Sequence, residues 1–509
     1  MKNLRLRRLL ILLALGLPAL ACNFPGLARV PAPDDQVEAL RQTMDAMLAQ
    51  EQAAATPEAT APAPDTLPGI PPPPQENGPF FTYTAQSGDT LPAVAARFGV
   101  SPGEISAPQA IPPAGLIDPG LPLIIPNVLP PAAYPHAVMP DSEVVYSPTA
   151  LDFDTLSFVA RAGGYLSRYG ETVDGEWLSG AQIVERLAVE TSTNPRLLLA
   201  LLEYRSHWLL GDPRDTAQQQ YPLGFYNGDY RGLYPELSLA VRYLSQGYYG
   251  WRRGSLTEME FTDGSRLRLA PGLNAGTAAV QVLFSHLMTP SEWEAALYGS
   301  DSFPVLYQRL YGDPWELAAG IGPLLPAGLA QPPLELPFLP GGLWSLTGGP
   351  HIAWGEGSPP GALDFAPVTG EPACSVSAAW ATAAAAGIVV RSQRNVVVLD
   401  LDGDGREQTG WDLLYMHVAD QERVLPGATL AVDAPIGHPS CQGGRATGSH
   451  VHLARKYNGE WLSAGGPLPF TLSGWVAQES ARAYEGILVK GDQIVTARPD
   501  GSHQSSISR

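Results

Sequence analysis

Two histidines stand two residues apart in "ATGSHVHLARK", Ala446 to Lys456, in a chain that has only nine. Along a β-strand, side chains at i and i+2 point to one face, about 6.6 Å apart. His450 and His452 would then lie side by side, which is costly as core packing and useful as chemistry. One imidazole can bind a metal ion while the other handles a proton. A surface strand with two solvated histidines is the plain alternative. Five of the nine histidines lie between 338 and 485, namely His351, His417, His438, His450 and His452, and Asp364 joins them in "GALDFAP". A hydrolytic zinc site takes three protein ligands from His, Asp or Glu and keeps a fourth position for water. That water loses its proton near neutral pH, and adjacent histidines relay protons or stabilise an oxyanion. Asp364, the "YMH" ending at His417 and the "HVH" ending at His452 supply such groups from three separate strand patterns.

The elements that must position them are "AGIVVRSQRNVVVLDLD", "GWDLLYMHVAD" and "SHVHLARKYNGEW", separated by Gly-rich turns as an antiparallel β protein requires. The longer run "ALDFAP … LLYMHVAD … VLPGATLAVDAPIGHPSCQGGRATGSHVHLA" is similar to the zinc metallopeptidases of the lysostaphin and LytM type, over residues 344–461. Thr-Gly followed closely by His-x-His is its most specific part. The resemblance implies a C-terminal antiparallel β metallopeptidase domain, placed at 338–485, with one zinc per chain, cutting peptide bonds of peptidoglycan stems or cross-bridges. It makes His452 a zinc ligand with Asp364, and His417 and His450 the catalytic histidines around water and oxyanion. One position departs from the pattern. The family's first ligand stands four residues before the Asp, and here that residue is Pro360, which cannot bind metal. The nearest upstream histidine is His351. Twelve intervening residues rich in Gly, Ser and Pro are enough to return its imidazole to the metal. The expected ligands are therefore His351, Asp364 and His452. A site lacking His351 would be a degenerate regulator. His438, in "IGHPSC", reads as a solvated loop residue.

"DLDGDGREQTGW" puts Asp400, Asp402 and Asp404 at alternate positions with Gly405 sixth, resembling the start of a calcium loop. Position twelve, where an EF-hand needs a bidentate Glu, is Trp411. A polar hairpin turn is the expectation, with calcium as the alternative.

The chain opens "MKNLRLRRLLILLALGLPALAC", a basic stretch followed by the apolar run Leu9 to Ala21. Thirteen residues are too few for a helix to cross a hydrocarbon core of about 30 Å, so 1–22 reads as a signal peptide. Cys22 after "ALA" resembles the lipidated cysteine of bacterial lipoproteins. Ala19 stands where those usually have Leu, which leaves ordinary cleavage after Ala21 as the alternative. The remaining thiols, Cys374 and Cys441, belong to one domain of an exported chain and are expected to form a disulfide. Closing that loop contributes on the order of 4 kcal/mol in the chain-entropy model.

Residues 23–79 read as a short helix, with Val37, Leu40, Met44, Met47 and Leu48 on one face, and a Pro-rich tether. From Phe80, "YTAQSGDTL" is a strand and turn, Thr90 can N-cap the helix carrying Val94, Ala95 and Phe98, and "LIDPGLPLIIP" supplies a closing strand. This resembles a LysM module, expected as a βααβ unit at 80–127, which implies binding of glycan N-acetylglucosamine. Residues 147–325 are mostly α by pattern. In "TNPRLLLALLEYRSHWLL", Asn194 is an N-cap with Pro195 at the first helical position. The segment resembles the first catalytic helix of lytic transglycosylases, which implies a lysozyme-like domain. Arg205 occupies the general-acid position and cannot donate the proton glycan cleavage needs. The domain therefore reads as degenerate, with Glu203 as a displaced acid in a rival reading. Residues 486–509 are expected as a tail.

A net charge of −19, with no Lys/Arg block in the mature part, excludes a nucleic-acid partner. With 53 glycines and 51 prolines in 509 residues, linkers and turn-rich β structure are expected. The combined expectation is an extracytoplasmic cell-wall endopeptidase, anchored to the membrane at Cys22 and held on peptidoglycan by LysM. The rival from another class is a non-catalytic wall-binding scaffold that activates another hydrolase.

Overall fold

The computed structural model describes residues 75–501 and 503–509. The leader, Cys22, the helix expected near 37–48 and most of the tether lie outside the described residues. Strands β1 (Gln75–Asn77), β2 (Phe80–Thr84) and β3 (Pro122–Pro126) form an antiparallel sheet in that order. Helix α1 (Leu91–Phe98) starts where the Thr90 hydroxyl accepts the Ala93 N–H, and ends at Gly99, in the left-handed conformation. Its Val94, Ala95 and Phe98 pack on Tyr83, Leu123 and Ile125. Two expectations change here. The second helix shrinks to a 3-10 turn at Pro102–Glu104, because Pro108, Pro112 and Pro113 follow too closely for a helix to continue. The stretch expected to be tether up to residue 79 already contributes β1.

The central region is built from helices: α2 (Thr155–Ala162), α3 (Gly180–Thr191), α4 (Pro195–Ser206), α5 (Thr216–Gln220), α6 (Leu233–Arg252), α7 (Ala275–Ser285), α8 (Pro290–Tyr298), α9 (Phe303–Tyr311) and α10 (Pro314–Ile321). Two hairpins interrupt them, β4 (Gly170–Val173) with β5 (Glu176–Ser179), and β6 (Glu258–Glu260) with β7 (Arg266–Arg268). Asn194 caps α4 through the Arg196 N–H, Pro195 takes the first helical position, and Leu197 to Leu202 are all buried. Glu203 is buried too. Its carboxylate accepts the N–H groups of Leu209 and Leu210, at 3.1 and 2.8 Å, and lies 3.4 Å from His207. That carboxylate holds the turn after α4, and Arg205 donates to the Leu223 carbonyl at 2.8 Å.

The C-terminal region is antiparallel β. Its strands are β8 (Leu343–His351), β9 (Ala362–Pro367), β10 (Ala381–Thr382), β11 (Gly387–Gln393), β12 (Val396–Asp400), β13 (Trp411–Met416), β14 (Thr429–Leu430), β15 (Pro435–Gly437), β16 (Val451–Tyr457), β17 (Glu460–Trp461), β18 (Thr471–Leu472), β19 (Trp475–Glu479), β20 (Gly486–Lys490), β21 (Gln493–Thr496) and β22 (Ser506–Ser508). The main sheet runs β14-β11-β12-β13-β16-β9-β8-β22, with β17 paired to β16. The expected tail at 486–509 is instead part of this region. β20 pairs with β19 on one side and β21 on the other, while β22 closes the edge beside β8. Leu488, Val495 and Ile507 are buried, so apolar alternation holds these residues to the core.

Helices and sheet share buried polar contacts. Arg252 on α6 pairs with Glu460 on β17 at 2.9 Å, Tyr248 donates to the same carboxylate at 2.9 Å, and Arg252 also pairs with Asp141. Within the sheet, Glu407 reaches from the β12–β13 turn to Arg391 on β11 and Lys456 on β16, at 2.5 and 3.0 Å. Burial opposes the Glu407 charge, and Lys456 with Arg391 overcomes it, holding the carboxyl at about 2 against an ordinary 4.5. A depressed folded value stabilises the fold fully above about pH 4.5 and is lost as pH falls towards 2. Glu407→Gln should therefore cost about 3 kcal/mol at pH 7. Urea unfolding from pH 7 to pH 3 checks it: the gap between wild type and variant should narrow below pH 4.5.

Candidate metal centre

The centre sits at the ends of β8, β9 and β16. The ladder places Asp364 of β9 directly opposite His452 of β16, and Met416 of β13 opposite His452 on the other side. β8 carries irregularities between Leu346 and Gly348 and between Gly348 and His351. The extra residues turn the strand end back so that His351 lies over the same spot. The backbone then leaves β13 at His417, which adopts φ 65°, a left-handed conformation rare for a residue with a Cβ. The residue before β16 is His450, bridged to Ser440.

His351 Nε2, His452 Nδ1 and Asp364 Oδ1 converge, with separations of 3.0 Å between the nitrogens and 3.3 Å from each nitrogen to the oxygen. His351 donates from Nδ1 to the Gly349 carbonyl at 2.8 Å, and His452 donates from Nε2 to the Ala353 carbonyl at 2.9 Å. With each ring's proton committed outward, both inward nitrogens are lone pairs. Asp364 Oδ1 is likewise buried and accepts no hydrogen bond. Three lone pairs facing one point suit a cation, and the outward bonds are the usual second shell that orients metal-binding imidazoles. Burial opposes charge at both groups, but Asp364 pushes His351 up, and His351 with His452 holds Asp364 well below the carboxylate range. The residue set fits zinc: two imidazoles and one carboxylate, with room left for a further ligand. Gly348 lies under this carboxylate, and a Cβ there would overlap the Asp364 oxygen.

His450 Nε2 is 3.7 Å from Asp364 Oδ1, and the His417 and His450 rings lie 4.5 Å apart. His417 donates from Nδ1 to the Gln442 carbonyl at 2.9 Å, and His450 from Nδ1 to the Gly448 carbonyl at 2.7 Å. Burial first, then His450 beside it, pushes His417 down to about 4, so its ring is neutral at neutral pH with Nε2 unprotonated.

All five residues singled out in the sequence come together. His351 reaches the centre across residues 352–361, and that insertion supplies the Ala353 carbonyl that holds His452. Helix α6 buttresses the insertion: Arg242 pairs with Glu356 at 2.5 Å, and Gly357 (φ 93°) lies so close to the Arg242 carbonyl that a Cβ would come within 2.6 Å. Cys374 and Cys441 are bonded, tying the loop around 369–377 to the segment that runs into His450. Ser377 N–H to the Pro439 carbonyl and Ser449 to the Ser375 carbonyl reinforce that wall. His438 is a correction. It is buried, bonded to the Ala379 carbonyl and Glu422 at 3.0 and 3.1 Å, and packed on Trp380, because the disulfide draws its turn inward.

Sequence reading missed two contributors. Tyr484 stacks on His351 at 4.2 Å from a part of the chain with no motif. Arg186 and Glu190 of α3 reach the cleft wall from the helical region, where Glu190 pairs with Arg394 of the β11–β12 turn at 3.4 Å. Their charge periodicity on α3 was the only available signal.

Residues 83–126 match the LysM domain, and residues 137–325 match the family described as LasA, N-terminal domain. The latter covers the central helical region, for which the sequence leads to the expectation of a lysozyme-like domain. The chain is 28% identical over 295 residues to the protease LasA of Pseudomonas aeruginosa, covering 54% of this chain and 65% of that protein. It therefore spans just under two thirds of the length of that relative. It is also 28% identical over 180 residues to a beta-lytic metalloendopeptidase of Achromobacter lyticus, covering 33% of this chain and 45% of that one. Among solved structures, an M23 metalloprotease, pseudoalterin, from the deep sea aligns at 18% identity and a TM-score of 0.28, covering 36% of this chain and 100% of that chain. The chain thus combines a LysM match, a LasA N-terminal match and similarity to metalloendopeptidases.

Proposed function

We propose that this chain is an extracytoplasmic endopeptidase that hydrolyses peptide bonds of peptidoglycan, with one zinc held by His351, Asp364 and His452. The observation that carries the reading is the convergence of His351 Nε2, His452 Nδ1 and Asp364 Oδ1, with each ring fixed by an outward hydrogen bond. Similarity to LasA and to a beta-lytic metalloendopeptidase supports the reaction class, and the LysM match supports glycan as the docking partner. A lipid anchor at Cys22 belongs to the same reading and would keep the enzyme at the envelope.

When bound, zinc supplies a Lewis acid that polarises the scissile carbonyl and makes water nucleophilic at neutral pH. The protein's own groups do the rest. His417, neutral and fixed through Nδ1, takes the water proton at Nε2. His450, 4.5 Å away ring to ring, faces the developing oxyanion, and the proton His417 has taken passes to the leaving amine. The disulfide-tied loop and Tyr484 form walls that orient the peptide over the centre.

The first test is zinc per chain by elemental analysis of the oxidised protein. Wild type should hold one zinc, and His351→Ala should hold almost none. An empty wild type after zinc loading would end the hydrolase reading in favour of the wall-binding scaffold. Gly348→Ala should weaken zinc binding at least tenfold by displacing the Asp364 carboxylate, read by competition with a chromogenic chelator. His417→Ala and His450→Ala should each keep the zinc and lose 10²-fold or more of peptide release from purified sacculi, followed by the appearance of new amino termini.

A further inference from the structure

The turn between β12 and β13 holds more negative charge than its neighbours neutralise. Asp400, Asp402 and Asp404 each place a carboxylate oxygen within 4.8 Å of the others. Asp400 organises the loop, accepting the N–H groups of Asp402 and Gly403 on one oxygen, at 3.0 and 3.1 Å, and that of Gly405 on the other, at 2.7 Å. These bonds explain a turn and by themselves imply no ligand. Asp412 is the independent observation. It stands directly opposite Asp400 in the ladder, so both side chains rise from the same face of the sheet. It is fully buried, and neither of its carboxylate oxygens has a hydrogen-bond partner.

A buried carboxylate with no donors must lose its charge or find a cation. The two buried cations nearby are already engaged. Arg391 gives two hydrogen bonds to Glu407, at 2.5 and 3.0 Å, and Lys456, opposite Asp412 in the ladder, donates to Glu407 at 3.0 Å. Burial, together with Glu407, Asp400 and Asp402, pushes Asp412 well above the ordinary carboxylate range against the pull of Lys456 opposite it, and burial with Asp400 pushes Asp402 up to about 6. Gly410, at φ 60°, leaves open the space above its Cα that the Asp402 carboxylate fills.

We infer that this turn binds a calcium ion through Asp400, Asp402 and Asp404, with Asp412, buried on the same face of the sheet, adding an unpartnered carboxylate beneath them. An all-oxygen set with no His or Cys disfavours zinc, and its irregular arrangement suits calcium better than magnesium, which demands a near-ideal octahedron. Asp412 stands one residue beyond Trp411, the position where an EF-hand loop keeps its closing Glu. The ion would clamp β12 to β13, the strand that ends at His417, and would steady a turn whose Arg406 reaches the Leu151 carbonyl of the helical region.

The test uses the full chain saturated with zinc, so that calcium cannot act at the zinc site. Isothermal titration with calcium chloride should give one site per chain. Calcium at a hundredfold excess over its Kd should raise Tm by about 5–10 °C, with a smaller rise from equal magnesium. Terbium should luminesce on excitation of Trp411, whose ring lies 5.2 Å from that of Tyr457, and calcium should quench the signal. Asp402→Asn should abolish the calcium-induced rise, and Asp412→Asn should reduce it. Asp412→Asn, which removes a buried carboxyl group that has no hydrogen-bond partner, should be at least as stable as wild type without calcium, so that weakened binding is not lost folding. A wild-type Tm indifferent to 10 mM calcium (about a hundredfold a weak extracellular Kd), or an equal rise in both variants, overturns the inference.

Discussion

The centre depends on one register. Asp364 and His452 are cross-strand partners, and a slip of a single residue between β9 and β16 would turn one of them to the opposite face. The apolar residues that alternate with them prevent that slip. Leu363 and Phe365 flank Asp364, Val451 and Leu453 flank His452, and all four are buried. Hydrophobic burial on one face thus fixes the spacing of polar atoms on the other. His351 is held less directly, by an irregular strand end and by the insertion that follows it. That is why the helical region matters to the chemistry: α6 supports the insertion, and the insertion supports His452.

Much of this was legible in the sequence because chemistry and periodicity coincided there. His450 and His452 announce themselves by strand spacing, Asp364 by its place between small and aromatic residues, and α4 by its cap and Leu-rich run. The place of His351 required an inference from absence, since Pro360 ruled out the usual position and His351 was the nearest histidine upstream. What escaped was set by distant contacts. Tyr484 meets His351 across 133 positions of sequence. His438 is buried because a disulfide folds its turn inward, a fact no local pattern encodes. The strands after residue 486 are short and look like tail until β19 and β8 give them partners. Glu203 shows the converse, because a suggestive local resemblance gave way to a plain structural duty at the end of α4.

Polar groups buried between helices and sheet bind the two regions through charge as well as shape. Arg252 satisfies Glu460 and Asp141 at once, with Tyr248 on the same carboxylate, so removing any one member would strand another away from water. Such a network is exacting in geometry, and it aligns α6 with β17 far more sharply than apolar packing would.

The insertion at 352–361 also bears on how such centres diversify. Because the ring of His452 is oriented by a backbone carbonyl at Ala353, no polar side chain is needed at that position, only one small enough for its buried setting. Length can change as well, provided that the bulged end of β8 and one carbonyl keep their positions. The distance in sequence between His351 and Asp364 is therefore set by the loop between them and not by the convergence of their donor atoms. Patterns that fix it at four residues will pass over chains whose donor atoms meet just as closely in space.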